Sequence, residues 1–152
     1  MSEIWKPHVT VAAIAEEHGK LLLVEELING QLVLNQPAGH LDDGESIIDA
    51  VIRETLEETA YEFVPEHLIG VYRWCPCDKD RTYIRFAFSG KIGKHFPNQP
   101  LDDGITQALW LSPEEITAQQ QRWRTTMVGE VFDHYLSGNR YPLEILNEVS
   151  FD

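Results

Sequence analysis

Cysteine is almost missing from this chain: among 152 residues there are only Cys75 and Cys77, with Pro76 between them. Thiols on alternate residues make a poor disulfide, and two of them do not complete a structural zinc site. They read as free thiols at the end of a strand that Pro76 stops. Basic residues are scarce as well, with 12 Lys and Arg against 25 Asp and Glu, a net charge of −13. Nucleic-acid polymers need a basic stripe, so this balance argues against one as partner, and most of the excess acid reads as solubility. No apolar run reaches membrane-spanning length, and MSEIWKPH carries no signal-peptide pattern, so a cytoplasmic protein without membrane contact is expected. Internal repeats, low-complexity segments and inter-domain linkers are also lacking.

What remains is ordinary globular material. The 43% apolar content can build a substantial core, and residues 1–152 read as a single domain. Alternation predicts strands over His8–Ala15 and Lys20–Glu26, joined by a His18-Gly19 turn. Asn29-Gly30 marks a tight hairpin into a short strand at Leu32–Leu34. Leu68–Trp74 and Arg81–Ile92 read as a long antiparallel hairpin, and Ile105–Leu111 as a further strand. Ser112-Pro113 opens one helix, and a second runs from about Thr125 to Leu136 before Gly138. The tail from Asn139 reads as irregular. Strands around a central helix, with helices near the end, predict an α/β sandwich on a mixed sheet.

The most informative stretch is GHLDDGESIIDAVIRETLEETAY, Gly39 to Tyr61. On a helix, Glu54, Glu57 and Glu58 fall within an arc of roughly 60–100°. Like charges that close destabilise a helix, and a divalent cation with hard oxygen ligands is the natural compensation. Ile47, Ile48, Val51, Ile52 and Leu56, with the methyls of Thr55 and Thr59, cover the opposite arc, so the helix is docked. Asp42 and Glu45 resemble a capping box and predict a helix start near Asp43. The bland alternative is a solvated acidic face with i, i+4 pairs.

The landmarks decide between the two. Gly39, five residues, Glu45, seven residues, Arg53-Glu54, two residues, Glu57-Glu58 resembles the signature box of the Nudix family. Ala60 stands where that family usually has glycine, Thr55 where it has an aliphatic residue, and Tyr61 is a milder departure. A residue with a Cβ at the Ala60 position either ends the helix differently or carries a small strain. Ala60 and Thr55 also motivate an alternative, a catalytically weak module that senses a nucleotide or metabolite.

The resemblance implies an α/β/α sandwich around a mixed sheet and a hydrolase of phosphoanhydrides. It implies Glu54, Glu57 and Glu58 as metal ligands, with the Gly39 backbone carbonyl beside them. Glu54 and Glu57 would also serve catalysis, Glu54 as ligand or base, with Arg53 orienting a glutamate and Glu45 supporting it. Magnesium is the implied ion, and manganese would satisfy the same ligands. A metal accompanying the substrate reconciles an acidic protein with a phosphorylated compound. The runs KPHVTVA, NQPAGHL, DKDRTYIRFAF and SGNRYPLE are similar to a phosphatase subgroup of broad taste. That implies nucleoside di- and triphosphates, thiamine pyrophosphate and hydroxymethylpyrimidine pyrophosphate as substrates, for a monomer or homodimer.

Substrate contacts must come from outside the box. Trp74 offers a face for a heterocycle, and Arg81 and Arg85 a grip on phosphate, against the alternative of core packing and surface charge. Asp102 and Asp103 lie in a loop before a strand, either approaching the metal or sitting at the surface. Of the six histidines only His40 lies near the expected site, as a loop or substrate-side residue rather than a ligand.

Overall fold

The computed structural model describes residues 2–78 and 80–149. In chain order these form β1 (His8–Glu17), β2 (Lys20–Ile28), β3 (Gln31–Asn35), β4 (Ala38–His40), α1 (Ile47–Thr59), β5 (Tyr61–Trp74), β6 (Tyr83–His95), β7 (Ile105–Leu111), α2 (Pro113–Ala118), α3 (Met127–Leu136) and β8 (Tyr141–Pro142). The strands make one mixed sheet. β1 pairs with β6 in parallel and with β4 antiparallel, β6 continues to β5 and β8, and β2 carries β3 and β7 on its two edges. The two groups join where Glu16 and Glu17 of β1 pair with Leu21 and Lys20 of β2.

Alternation along β1 sets the layers. Val11, Ala13 and Ala15 pack with Ala50 and Val51 of α1, while Ala12 and Ile14 pack with Val128, Val131 and Phe132 of α3. Ile116 of α2 joins the second cluster. One helix covers one face and two cover the other, so the expected α/β/α sandwich on a mixed sheet is what the chain builds.

Several boundaries differ from the sequence reading, each for a physical reason. α1 starts at Ile47, four residues later than expected, because Ser46 is its cap and accepts a hydrogen bond from Asp49 N at 3.0 Å. Asp42 and Glu45 form a separate turn, with Glu45 Oε1 accepting from Asp42 N at 3.1 Å. The face opposite the apolar stripe is not open to water either, since Glu54 and Glu58 are buried. β5 begins directly after α1 rather than at Leu68. Register shifts near Pro65 and Gly70 scramble its alternation, and a Cβ on Gly90 would meet Val64 O at 2.1 Å. The tail, expected to be irregular, supplies β8 beside β5.

The helix-to-strand junction accounts for the Ala60 and Thr55 departures from the box. Ala60 takes the left-handed conformation, φ 60° and ψ 20°, and donates its N–H to Leu56 O. Thr55 and Thr59 are buried but satisfied, donating to the carbonyls of Val51 and Thr55 at 2.7 and 2.6 Å. Thr59 Oγ1 also accepts from Tyr61 N. Because a Cβ in the left-handed region costs about 1 kcal/mol, Ala60→Gly is expected to raise unfolding stability by about that amount in urea. A loss of stability would show that the Ala60 methyl packing outweighs its strain.

Candidate active site

Two chain segments converge on the exposed edge of α1. The first is the β4 loop. Gly39 lies so close to the Glu54 carboxylate that a Cβ there would stand 2.1 Å from Glu54 Cδ, so any side chain at position 39 would push that carboxylate aside. The second is the 96–104 loop, which satisfies carbonyls that the end of α1 leaves over. Gln99 Nε2 donates to Leu56 O at 2.8 Å, Asp102 N to Glu57 O at 3.1 Å, and Phe96 N to Ala60 O at 2.8 Å. This docking carries the Asp102 side chain to the helix.

Arg53 organises the acids. Its Nε and Nη2 donate to the two oxygens of Glu45 at 2.7 and 3.0 Å. Nη1 donates to Glu54 Oε1 at 2.8 Å and Glu57 Oε2 at 3.1 Å, and Nη2 also reaches His40 O at 3.0 Å. One guanidinium therefore fixes three glutamates and the β4 backbone. The Arg53 hydrogen bonds hold the Glu45 carboxyl below the usual range. Glu45 thus holds Arg53 through both its oxygens, and Glu54 and Glu57 each keep one oxygen that Arg53 does not engage.

Carboxylate oxygens of Glu54, Glu57 and Asp102 lie within 4.8 Å of one another. Burial, and to a lesser degree the charges of Glu57 and Asp102, push the Glu54 carboxyl up. Glu58 is set apart, with Oε1 accepting from Ala38 N at 2.8 Å. Burial raises it to about 8, and Glu26, Glu54 and Asp102 add to the effect. The cluster has more negative charge than Arg53 balances, at the negative end of a helix dipole, and its donors are all hard oxygens. Those residues fit a divalent cation. Asp102, read from the sequence as a residue that approaches the metal, a substrate contact or a surface-loop residue, sits with the carboxylates. Its carboxylate joins them only through the loop docking, which no sequence spacing displays.

On the other side of β4 lies a cavity of ≈ 330 Å³, lined among others by Gly39, His40, Trp74, Tyr83 and Arg85. Trp74 and Tyr83 form a tilted ring pair 5.5 Å apart at its wall. His40 lines it, and its Nε2 is 3.2 Å from His8 Nδ1. Burial, then the charge of His8, lowers the His40 imidazole. Arg85 is no surface arginine. It is 7% exposed, and burial brings its guanidinium down to about 10. Arg81 is exposed and outside the residues that line the cavity. Asn35 and Thr10 also line it and were missed by sequence reasoning, although Asn35 opens the NQPAGHL run.

Gly39→Ala is expected to displace Glu54 and cut turnover at least roughly tenfold, with circular dichroism unchanged. Full turnover would mean that the Glu54 position is not needed.

Comparison with known proteins agrees with this geometry. A profile of the NUDIX domain matches residues 5–129. Phosphatase NudJ of Escherichia coli (strain K12) is 41% identical over 148 residues, spanning 97% of this chain and 95% of that protein. The structure of a NUDIX hydrolase from Nitrosomonas europaea superposes with a TM-score of 0.92 at 50% identity, over 95% of this chain and 98% of that one. A UDP-X diphosphatase shares the fold at 20% identity, with a TM-score of 0.73 over 93% of this chain and 68% of its own. The box residues, the sandwich they sit in and these relatives leave one assignment: the chain belongs to the Nudix hydrolase family.

Proposed function

We propose that this Nudix hydrolase is a magnesium-dependent phosphatase of broad taste. Its substrates would be small pyrophosphate compounds: nucleoside di- and triphosphates, thiamine pyrophosphate and hydroxymethylpyrimidine pyrophosphate. The observation that carries the reading is the carboxylate group of Glu54, Glu57 and Asp102 beside a cavity with two arginines, Arg85 and Arg124, in its lining. The likeness to phosphatase NudJ over 97% of the chain supports the substrate class.

Glu54, Glu57 and Asp102 would hold the ion, with Glu58 and the Gly39 carbonyl at its margin. Manganese would suit the same donors. When bound, the ion supplies charge neutralisation on the phosphates and a more acidic water. The chain does the rest by positioning. Arg53 keeps Glu54 and Glu57 adjacent against their repulsion, and Glu45 keeps Arg53 in place. The cavity takes the non-phosphate end of the substrate against Trp74. Ala60 and Thr55, which motivated a sensing reading, sit in the left-handed cap of α1 and in a hydrogen bond to Val51 O, and neither touches the Arg53 network. The domain limits, residues 1–152, are part of the same proposal.

A phosphate-release assay over nucleotides and thiamine pyrophosphate, with products identified, tests the reading. Chelation is expected to abolish turnover and magnesium to restore it. Glu57→Gln is expected to lower turnover roughly 100-fold or more while the protein stays folded. Undiminished activity of Glu57→Gln, or of the chelated protein, would reject the assigned site.

A further inference from the structure

A phosphate chain that enters this acidic protein needs a cation it can touch. Two arginines, Arg85 and Arg124, are in the lining of the ≈ 330 Å³ cavity. Arg85 is buried, and its Nε is sealed from solvent. The Arg124 side chain is 47% exposed. Its Nη1 donates to Glu26 Oε2 at 2.7 Å, while Nε and Nη2 make no hydrogen bond among the described residues.

Arg122, two residues earlier, shows a guanidinium given over to holding the fold. Its Nε donates to Leu32 O at 3.3 Å, its Nη1 to Gln119 Oε1 at 2.6 Å and its Nη2 to Glu25 Oε2 at 2.5 Å. All three nitrogens engage protein, and Arg122 is outside the cavity lining. Arg124 keeps two of its three nitrogens for something else.

The segment that carries both arginines, residues 119–126, joins α2 to α3 across the edge of β3. Arg124 N donates to Leu34 O at 2.9 Å, and Trp123 forms a parallel bridge with Leu34. Trp123 locks the segment in place. Its Nε1 donates to Ile116 O at 3.0 Å, and a Cβ on Gly129 would stand 2.3 Å from its ring. The backbone under Arg124 is thus fixed, and the buried Glu26 carboxylate fixes one end of its guanidinium. A long side chain ordered before binding loses less entropy when it meets a ligand.

Arg124 also stands where a phosphate chain would pass. Gly39 lies against the Glu54 carboxylate and lines the cavity as well, so a chain held at the acids crosses it on the way in. After burial and the charge of His8, the charge of Arg124 does most to lower the imidazole of His40, the neighbour of Gly39. Nε and Nη2 form one edge of a planar fork that matches two phosphate oxygens.

We propose that Arg124 is a phosphate-binding residue of the candidate active site: Glu26 anchors its Nη1, and its Nε and Nη2 grip the pyrophosphate chain beside Gly39. The ligand class rests on the proposed hydrolase reading, so the test uses methylenediphosphonate, a diphosphate mimic with no organic group and no bond to hydrolyse. Its binding is measured by calorimetry with magnesium present. Arg124→Gln is expected to weaken it roughly tenfold or more, and Arg124→Lys to recover part of the loss, because lysine restores the charge without the fork. Manganese affinity without the diphosphonate, read by electron paramagnetic resonance, is expected to stay within a factor of about three of wild type.

A measurement on wild-type protein does not depend on any variant folding. Methylenediphosphonate with magnesium is expected to shield Arg124 from phenylglyoxal, read by peptide mass spectrometry, and to leave the exposed Arg140 reactive. Unshielded Arg124, undiminished binding by Arg124→Gln, or no binding by wild type overturns the proposal. So does an equal loss of manganese affinity, since the effect would then run through the carboxylates. If Arg124 is shielded and yet no pyrophosphate compound is hydrolysed, the hydrolase reading fails and the phosphate grip stands.

Discussion

Carboxylates do not gather by themselves, and in this protein the Arg53 guanidinium gathers them. It spans Glu45, Glu54, Glu57 and the carbonyl of His40, joining the helix to the β4 loop through five hydrogen bonds. Without it Glu54 and Glu57 would splay to relieve their repulsion, and the loop that presses Gly39 on Glu54 would lose its tie. A partly buried network of this kind is costly to break because each lost bond leaves a charge poorly solvated. The same geometry accounts for the glycine: the carboxylate that Arg53 holds occupies the space of a side chain at position 39.

A second constraint works at the other end of the helix. The 96–104 loop docks on this end, where Asp102 N donates to Glu57 O, Phe96 N to Ala60 O just past the helix, and Gln99 adds a second bond to Leu56 O. Satisfying the backbone and completing the acid cluster are therefore one event, since the residue that caps Glu57 O is the one whose side chain joins Glu54 and Glu57. Ala60 turns the chain from helix to strand with no loop, so β5 leaves at a fixed angle and runs along the sheet to Trp74 at the cavity wall.

The legible part of this structure was local. Spacing from Gly39 to Glu58 contained the helix and its acidic face, because these depend on residues within about two dozen positions of one another. Hairpins with an Asn-Gly turn or clean alternation were legible for the same reason. β5 was not, because register shifts and Pro65 break its period. Long-range partners were silent. Nothing in the sequence shows that Thr10 lies beside Arg85 in a parallel pair, that Gln36 clamps that arginine, or that Asp102 docks on α1. The sequence left Arg85 between a grip on phosphate and surface charge, because its burial depends on Gln36 and Thr10, 49 and 75 residues away in the chain.

The central claim is that Glu54, Glu57 and Asp102 are kept together to hold a divalent cation against a phosphate chain. The most direct measurement is anomalous diffraction from crystals grown with manganese and a non-hydrolysable pyrophosphate analogue. The account predicts an anomalous peak about 2.0–2.3 Å from oxygens of these three carboxylates and of the analogue. A manganese ion bound to the analogue but away from Glu54, Glu57 and Asp102, in a protein active with manganese, would contradict it.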